Sequence, residues 1–276
     1  MQGRLRASRE RNILLSWITG LPVERLPMYR DVPLSGREKL RLRRAMEKRA
    51  AHYPLQYITG SVEFMGIDFS ITPGVFIPRP ETELLVETAL KAIGTGSRTA
   101  VLDLCCGSGV VGLSIARMST GTEVALSDVS GKAVRLAIKN SERLGLRSRA
   151  EFYTGDLFSP LPMSKSFDLI VSNPPYVPCG RMRRLQAEVL EEPARAIDGG
   201  RGGLETIRRI ISGAGRRLGR DGMLIMEHDD THKEYLEALC DHDGRSGLRY
   251  IKTINDLSGL PRVSVFSARA GQGVLA

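Results

Sequence analysis

Residues 167–178 run Phe-Asp-Leu-Ile-Val-Ser-Asn-Pro-Pro-Tyr-Val-Pro. The first part, Phe167 to Val171, is a short apolar run with β-branched residues, which predicts a strand buried on both faces of a parallel sheet. At Asn173 an amide is followed by Pro174 and Pro175. The two prolines remove two backbone donors and hold the chain extended, so the segment neither continues a sheet ladder nor enters a helix. Asn173 is thereby displayed at the carboxyl end of a strand, where open α/β sheets bind their ligands. Its carboxamide and the Pro174 carbonyl offer two acceptors to one planar NH2 group, and Tyr176 offers a flat face to stack against it. Accepting both N–H bonds orients the nitrogen lone pair of an amide or aromatic amine toward an electrophile, which needs positioning and electrostatics but no ionised nucleophile. Asn-Pro-Pro also serves simply as a turn after a strand. The rest of the chain decides between the two uses.

Upstream, Thr99 to Leu104 predicts a buried strand, followed directly by Cys105-Cys-Gly-Ser-Gly-Val-Val-Gly112, a glycine-rich turn entering a helix. The next strand, Glu123 to Ser127, ends at Asp128. Strand, glycine turn, helix, strand and acid form the nucleotide-binding half of a Rossmann-like α/β sheet. Gly107, Gly109 and Gly112 match the dinucleotide fingerprint, with Asp128 about 20 residues on, where a ribose hydroxyl is held. NAD and S-adenosylmethionine both carry such an adenosine. A dinucleotide enzyme needs a second mononucleotide half, whereas here a third strand, Ala150 to Tyr153, leads through Gly155-Asp-Leu-Phe158, placed to touch an adenine, to the Asn-Pro-Pro-Tyr strand. The pattern favours the methyl donor.

Further strands are expected at Met223 to Glu227, Arg249 to Thr253 and Val263 to Ala268, the last two as an antiparallel edge hairpin. Helices are expected at about Leu204 to Leu218 and His232 to Cys240, and the tail, Gly271 to Ala276, is expected to fray. Toward the start, Leu5 to about Tyr53 shows apolar residues at helical spacing, broken by Pro22, Pro27 and Pro33 into short helices. Tyr57 to Ile71 alternates around Gly60 and Gly66, which predicts a β-hairpin. Pro73, Pro78 and Pro80 mark an extended stretch before a helix over Glu81 to Ile93, acidic in its first turn. The expected organisation is a helical docking domain over 1–55, a hairpin linker over 56–80 and a sheet domain over 81–276.

The 276 residues carry a formal net charge of +9. Met1 to Tyr53 holds 13 basic against 5 acidic residues, so +8 of that charge sits in the helical front. Such a face suits an acidic protein or nucleoprotein partner, although Arg37 to Arg49 taken alone is an ordinary solvated helical surface. No stretch approaches the roughly 20 apolar residues of a membrane span. Ile13 to Leu21 after an Arg-rich start imitates a signal peptide but is interrupted by Ser16, Thr19 and Gly20, without a small-residue cleavage site. Cys105, Cys106, Cys179 and Cys240 show neither a metal spacing nor a disulfide framework, which points to a reducing compartment, the cytoplasm, or an organelle if the start is a transit peptide. Glu227-His-Asp-Asp-Thr-His232 places two histidines at i and i+4. His228 is expected at a strand end rather than within a helix, so no metal site is read there.

Five elements stand in order: Pro54-Leu-Gln-Tyr-Ile-Thr-Gly60, Phe76-Ile-Pro-Arg-Pro-Glu-Thr-Glu83, Asp103-Leu-Cys-Cys-Gly-Ser-Gly109, Asn173-Pro-Pro-Tyr176 and Glu191-Glu-Pro-Ala-Arg-Ala-Ile-Asp-Gly-Gly200. With them the chain, from about residue 50 to its end, resembles the peptide chain release factor glutamine N5-methyltransferases, the HemK/PrmC family. Asn-Pro-Pro-Tyr alone is shared with adenine methyltransferases; the second and fifth elements are more specific. The resemblance implies a seven-stranded class I methyltransferase sheet behind a helical domain that docks the release factor. It implies S-adenosylmethionine over Cys105, Cys106, Gly107, Ser108 and Gly109, with Asp128 on the ribose, Leu157 near the adenine and Asn173 near the methyl group. Asn173, Pro174, Pro175 and Tyr176 would hold the glutamine of the factor's Gly-Gly-Gln loop, with Asn173, Pro174 and Tyr176 as the catalytic set. Membrane and nucleic acid are not required by this reading.

Three places depart from the family pattern: Cys105-Cys106 where Gly-Thr is usual, Gly259-Leu-Pro-Arg262 where Gly-Arg-Asp-Arg is common, and Glu227-His-Asp-Asp where a Glu-His-Gly-like stretch is usual. Two other functions compete. One is a methyltransferase for adenine or another exocyclic amine of RNA or DNA, which the basic front would serve. The other is a protein that binds S-adenosylmethionine or the ribosome without turnover, against which the intact Asn173 to Tyr176 element argues.

Overall fold

The computed structural model describes residues 2–29, 33–93, 99–242 and 246–269; the Gly271 to Ala276 tail lies outside them. The front holds α1 (Gln2–Thr19), a 3-10 turn over Val23–Tyr29, α2 (Gly36–Ala50) and the short α3 (Leu55–Thr59). Ser35 starts α2 with a capping box: its hydroxyl accepts from the Glu38 N–H at 3.3 Å, and the Glu38 carboxylate accepts from the Ser35 N–H at 2.8 Å. Leu14, Ile18 and Ala45 are buried where α1 meets α2. Arg37, Lys39, Arg41, Arg43, Arg44 and Lys48 are exposed on the outer face of α2.

The hairpin is shorter than the alternation predicted. It consists of β1 (Ser61–Phe64) and β2 (Ile67–Ser70), joined by Met65-Gly66 with both residues at positive φ, as a two-residue type I′ turn requires. Tyr57 and Ile58 belong instead to α3, which Pro54 opens and Gly60 closes in the left-handed conformation, its N–H on Gln56 O at 2.8 Å. Period-two spacing cannot be told from a single helical turn over so few residues; the Pro and Gly boundaries are what decide.

The sheet domain begins with a 3-10 turn at Pro80–Thr82 and α4 (Glu83–Ile93). Then follow β3 (Thr99–Leu104), α5 (Val110–Met118), β4 (Thr122–Asp128), α6 (Gly131–Arg143), β5 (Ala150–Thr154), β6 (Phe167–Ser172), α7 (Ala187–Leu190), α8 (Glu205–Ala214), β7 (Leu218–Glu227), α9 (Lys233–His242), β8 (Leu248–Asn255) and β9 (Pro261–Ala268). The seven strands lie in the order β5-β4-β3-β6-β7-β9-β8. The first five are parallel, while β9 runs antiparallel to both β7 and β8, the predicted edge hairpin. Side chains alternate along β3. Val101 joins Leu85, Leu113 and Ile115 in one apolar layer, and Leu102 and Leu104 join Ile170, Ile207 and Ile210 in the other.

Strand order reverses between β4, β3 and β6, and a crevice opens at the carboxyl ends there. Leu104 and Ser172 are register partners, with the Ser172 hydroxyl on Leu104 O at 2.9 Å. The next residues along the two strands, Cys105 and Asn173, therefore emerge side by side.

Candidate active site

Beyond Leu104 the chain turns sharply, with Cys105, Gly107 and Gly109 all at positive φ. A non-glycine residue costs about 1–2 kcal/mol in that region, so Cys105 carries a strain that glycine would not. The turn is pinned by Asp128 at the end of β4. Its Oδ2 accepts from the Gly107 N–H at 2.9 Å and its Oδ1 from the Ser130 N–H at 2.8 Å. Burial pushes the Asp128 carboxyl up, countered by those two N–H groups and by the Arg195 charge. Asp103, two residues before the turn, accepts from the Gly112 N–H at 2.9 Å, and burial first, with the nearby Asp128, raises it to about 7.

The crevice is a cavity of about 240 Å³. Cys105, Cys106, Gly107, Ser108, Asp128, Leu157, Asn173 and Pro175 line it. Gly109 sits behind the turn, where a β-carbon would lie 3.0 Å from Ala137 and Leu113 side-chain atoms, and Pro174 and Tyr176 are not part of the lining. The Ser108 hydroxyl is buried without a hydrogen-bond partner. The lining also includes residues that sequence reasoning did not single out: Phe76, Pro78, Thr82, Asp103, Pro193 and Arg195. Phe76 and Pro193 belong to the second and fifth elements, whose side of the cavity is tied together by Glu192. This buried carboxylate accepts from the Ile77 N–H at 2.8 Å and pairs with the Arg79 guanidinium, which also lies 5.0 Å from the centre of the Phe76 ring.

Asn173 donates its Nδ2 to the Thr82 hydroxyl at 3.0 Å. That bond leaves Oδ1 as the free acceptor of the carboxamide. Tyr176 does not present a free hydroxyl: it donates to Glu227 Oε1 at 2.8 Å, at the end of β7. Burial pushes the Glu227 carboxyl up, and the Tyr176 and Thr82 hydroxyls and the Arg262 charge counter it. The loop backbone is held from outside by the fifth element. The Val177 N–H donates to Ile197 O at 3.0 Å, the Gly199 N–H to Val177 O at 2.9 Å and the Cys179 N–H to Gly200 O at 3.0 Å.

His228 and His232 have other partners. His228 bonds Asp229 O through Nδ1 and the Ser264 hydroxyl through Nε2, each at 2.8 Å, and burial lowers its pKa to about 4. His232 Nε2 is 2.8 Å from Gly202 O. Among the described residues no cluster of His, Cys, Asp and Glu could hold a metal, and no helix is long and apolar enough to cross a membrane.

Comparison with known proteins covers both parts of the chain. A model described as the PrmC N-terminal domain matches residues 2–60, and one described as the methyltransferase small domain matches residues 67–201. A release factor glutamine methyltransferase of Geobacter sulfurreducens is 39% identical over 258 residues, 93% of this chain and 88% of that one. The protein of the same name from Gloeobacter violaceus is 36% identical over 265 residues, 95% of this chain and 91% of that one. Among solved structures, a methyltransferase from Pyrococcus furiosus shares the fold with a TM-score of 0.54 at 17% identity, covering 85% of this chain and 99% of that one. The 16S rRNA N2 G1207 methyltransferase of Thermus thermophilus, in complex with AdoMet and guanosine, does so with a TM-score of 0.51 at 21% identity, covering 76% of this chain and 49% of that one. At 36–39% identity over nearly the whole of both chains, the sequence relatives decide the matter: this chain belongs to the release factor glutamine methyltransferase family.

Proposed function

We propose that this protein transfers a methyl group from S-adenosylmethionine to the side-chain amide nitrogen, N5, of the glutamine in the Gly-Gly-Gln motif of peptide chain release factors. The observation that carries the reading is the Asn173 carboxamide, anchored through its nitrogen to Thr82 at the cavity wall, with its oxygen left to accept.

The residues around the cavity fit the methyl donor. Each Asp128 oxygen accepts one backbone N–H and keeps lone pairs for ribose hydroxyls. A β-carbon on Gly107 would meet nothing within 4 Å, so the turn leaves open room for a ligand there. The orphaned Ser108 hydroxyl lacks a partner that the donor's amino-acid end would supply. Asp103 has one oxygen on Gly112, and its carboxyl, raised by burial to about 7, complements an ammonium group in its ionised form. When bound, the donor supplies an electrophilic methyl group. Asn173 Oδ1 and the Pro174 carbonyl accept the two N–H bonds of the substrate amide, hold both protons in the plane of the acceptors and turn the nitrogen lone pair into the cavity. Pro175 closes the wall beside them.

Asp128→Ala is expected to weaken S-adenosylmethionine binding by roughly 1.5 to 3 kcal/mol, because a charge-assisted bond is lost and the Gly107 turn loses its pin. Turnover at saturating donor should change little. Calorimetry finding unchanged affinity would place the adenosine at another strand end. Asp103 adds a pH dependence. Its carboxyl is raised to about 7 before the donor binds, and the ionised form is the one that pairs with an ammonium, so affinity should be full above that value. Below it, affinity should fall by up to about tenfold per pH unit until the bound-state pKa is reached. A flat affinity between pH 8 and pH 5.5, or one retained in Asp103→Asn, would remove that role.

Substrate choice is assigned to the front, residues 1–55, as a docking domain joined through the hairpin to the sheet domain over 81–276. One amide side chain is too small to single out one glutamine, so discrimination needs a second surface. The exposed cations of α2 offer one. Intact release factor should therefore show a much higher kcat/KM than a short Gly-Gly-Gln peptide, and added salt should narrow that gap. Methylation of purified factor, RNA and DNA with labelled donor, followed by peptide mapping, tests the whole reading. Label on nucleic acid would favour the exocyclic-amine activity, and label on another residue of the factor would favour a different protein methyltransferase.

A further inference from the structure

Three side chains from distant parts of the chain act on the Asn-Pro-Pro-Tyr loop: Thr82 of Phe76 to Glu83, on Asn173, Glu227 at the end of β7, on Tyr176, and Arg262 of β9, through its charge. An asparagine carboxamide can sit in its pocket in two ways that differ only by exchange of oxygen and nitrogen. Only one of them offers an acceptor to a substrate NH2 group. The Thr82 hydroxyl does not decide the matter alone, because a hydroxyl can accept from Nδ2 or donate to Oδ1 equally well. What decides is where the hydroxyl proton goes.

Thr82 and Glu227 are both buried. Glu227 Oε1 takes the Tyr176 hydroxyl at 2.8 Å. Its Oε2 is buried and makes no hydrogen bond of normal geometry, although Thr82 is near enough to act on the carboxylate. In its ionised form, which burial disfavours and the Tyr176 hydroxyl and the Arg262 charge support, the Glu227 carboxylate only accepts; a Thr82 proton turned toward the unpaired Oε2 leaves the Thr82 oxygen facing Asn173 as an acceptor. The bond to Nδ2 at 3.0 Å follows. Arg262 contributes positive charge to the same site.

We infer that Thr82 and Glu227 are positioning residues, which hold the Asn173 carboxamide with its oxygen rather than its nitrogen toward the substrate amide. The inference rests on the reading that Asn173 accepts from that amide. Tyr176, by donating to the other carboxylate oxygen, fixes Glu227 in the orientation the chain of bonds needs.

Glu227→Gln separates this role from packing because it keeps the shape. If the Tyr176 hydroxyl keeps its acceptor, the new NH2 faces Thr82; Thr82 then accepts from it and turns its own proton toward Asn173, which favours the flipped carboxamide. Turnover on release factor should fall about tenfold to a hundredfold, the cost of one acceptor left wrongly paired. Donor affinity by calorimetry should be unchanged and the melting temperature not lowered, since Gln keeps an acceptor for the Tyr176 hydroxyl and removes a charge that burial disfavours. Thr82→Val should lose turnover by about tenfold, and Thr82→Ser, which keeps the hydroxyl, should retain it within a few-fold. Wild-type turnover in Glu227→Gln, equal losses in Thr82→Val and Thr82→Ser, or a joint fall of donor affinity and melting temperature would each overturn the inference. Asn173→Ala assayed alongside keeps the two readings apart: if it stays active, the role of Asn173 itself is wrong, whereas an inactive Asn173→Ala beside an active Glu227→Gln defeats only the orientation argument.

Discussion

Asn173→Ala should lower turnover about 100-fold or more, the scale of loss when one preorganised polar group is removed from a reacting centre. Donor affinity should persist. Asn173 contributes one wall of a cavity whose other polar contacts come from the glycine turn, Asp103 and Asp128. The alanine variant also leaves the Thr82 hydroxyl without the Nδ2 donor it now accepts from at 3.0 Å, a loss that water in the cavity it lines can make good. The defect is therefore expected in kcat, with the melting temperature close to that of the parent. Single-turnover assays with saturating donor and release factor measure it directly, and near-normal turnover would remove Asn173 from the reaction.

Gly203→Ala should be comparably damaging although residue 203 touches no substrate. A β-carbon there would lie 2.0 Å from the Tyr176 carbonyl oxygen and 3.0 Å from His232 Cε1. The first of these is a clash with backbone, which cannot be relieved by turning a side chain. Either the Asn173 to Tyr176 loop moves, and a displacement near 1 Å at a reacting centre costs on the order of 100-fold, or the 197–203 segment detaches from Val177 and the fold pays in stability. Gly202→Ala is the control. Gly202 also has positive φ, but its nearest neighbour would be Leu204 Cδ1 at 3.9 Å, so it should cost only the left-handed penalty of about 1–2 kcal/mol. Equal turnover and equal melting temperatures in the two variants would show that contact with Tyr176 is unimportant.

The strands that build the site were legible because buried parallel strands write themselves as β-branched runs with abrupt ends. Thr99 to Leu104 matches β3 end for end, and Phe167 to Val171 falls one residue short of β6. The start of β7 was not legible. Arg220-Asp-Gly222 resembles a turn, and Asp221 does adopt positive φ, yet pairing resumes across it and the strand extends back to Leu218. The helix α6 escaped notice although Ser130 caps it, its hydroxyl accepting from the Ala133 N–H at 3.3 Å. In the site, Asp128, Leu157 and Asn173 stand at or just beyond strand ends, positions that sequence pattern can mark. Thr82 and Glu192 act through bonds spanning 91 and 115 residues, and no local periodicity records such contacts. For Thr82 and Phe76 the available signal was membership of an unusually specific sequence element whose chemistry was not apparent. Tyr176 was read only as a stacking face; the bond of its hydroxyl to Glu227, which arrives from a distant strand, left no mark in the sequence.

The sheet order also bears on how the protein behaves in a crowded solution. An open sheet has two unpaired margins, and each is a template on which another extended chain can polymerise. Here one margin is β5, only five residues long, whose Glu151 is exposed and paired with Lys165. The other is β8, where the ladder to β9 slips between Tyr250 and Lys252 and where Arg249 and Lys252 project into solvent. A short margin, a broken register and outward charges are the devices that deny a growing fibril its first rung. The reversal of β9 that completes the sheet thus also places its most interrupted and most cationic strand at the boundary, where self-association would otherwise begin.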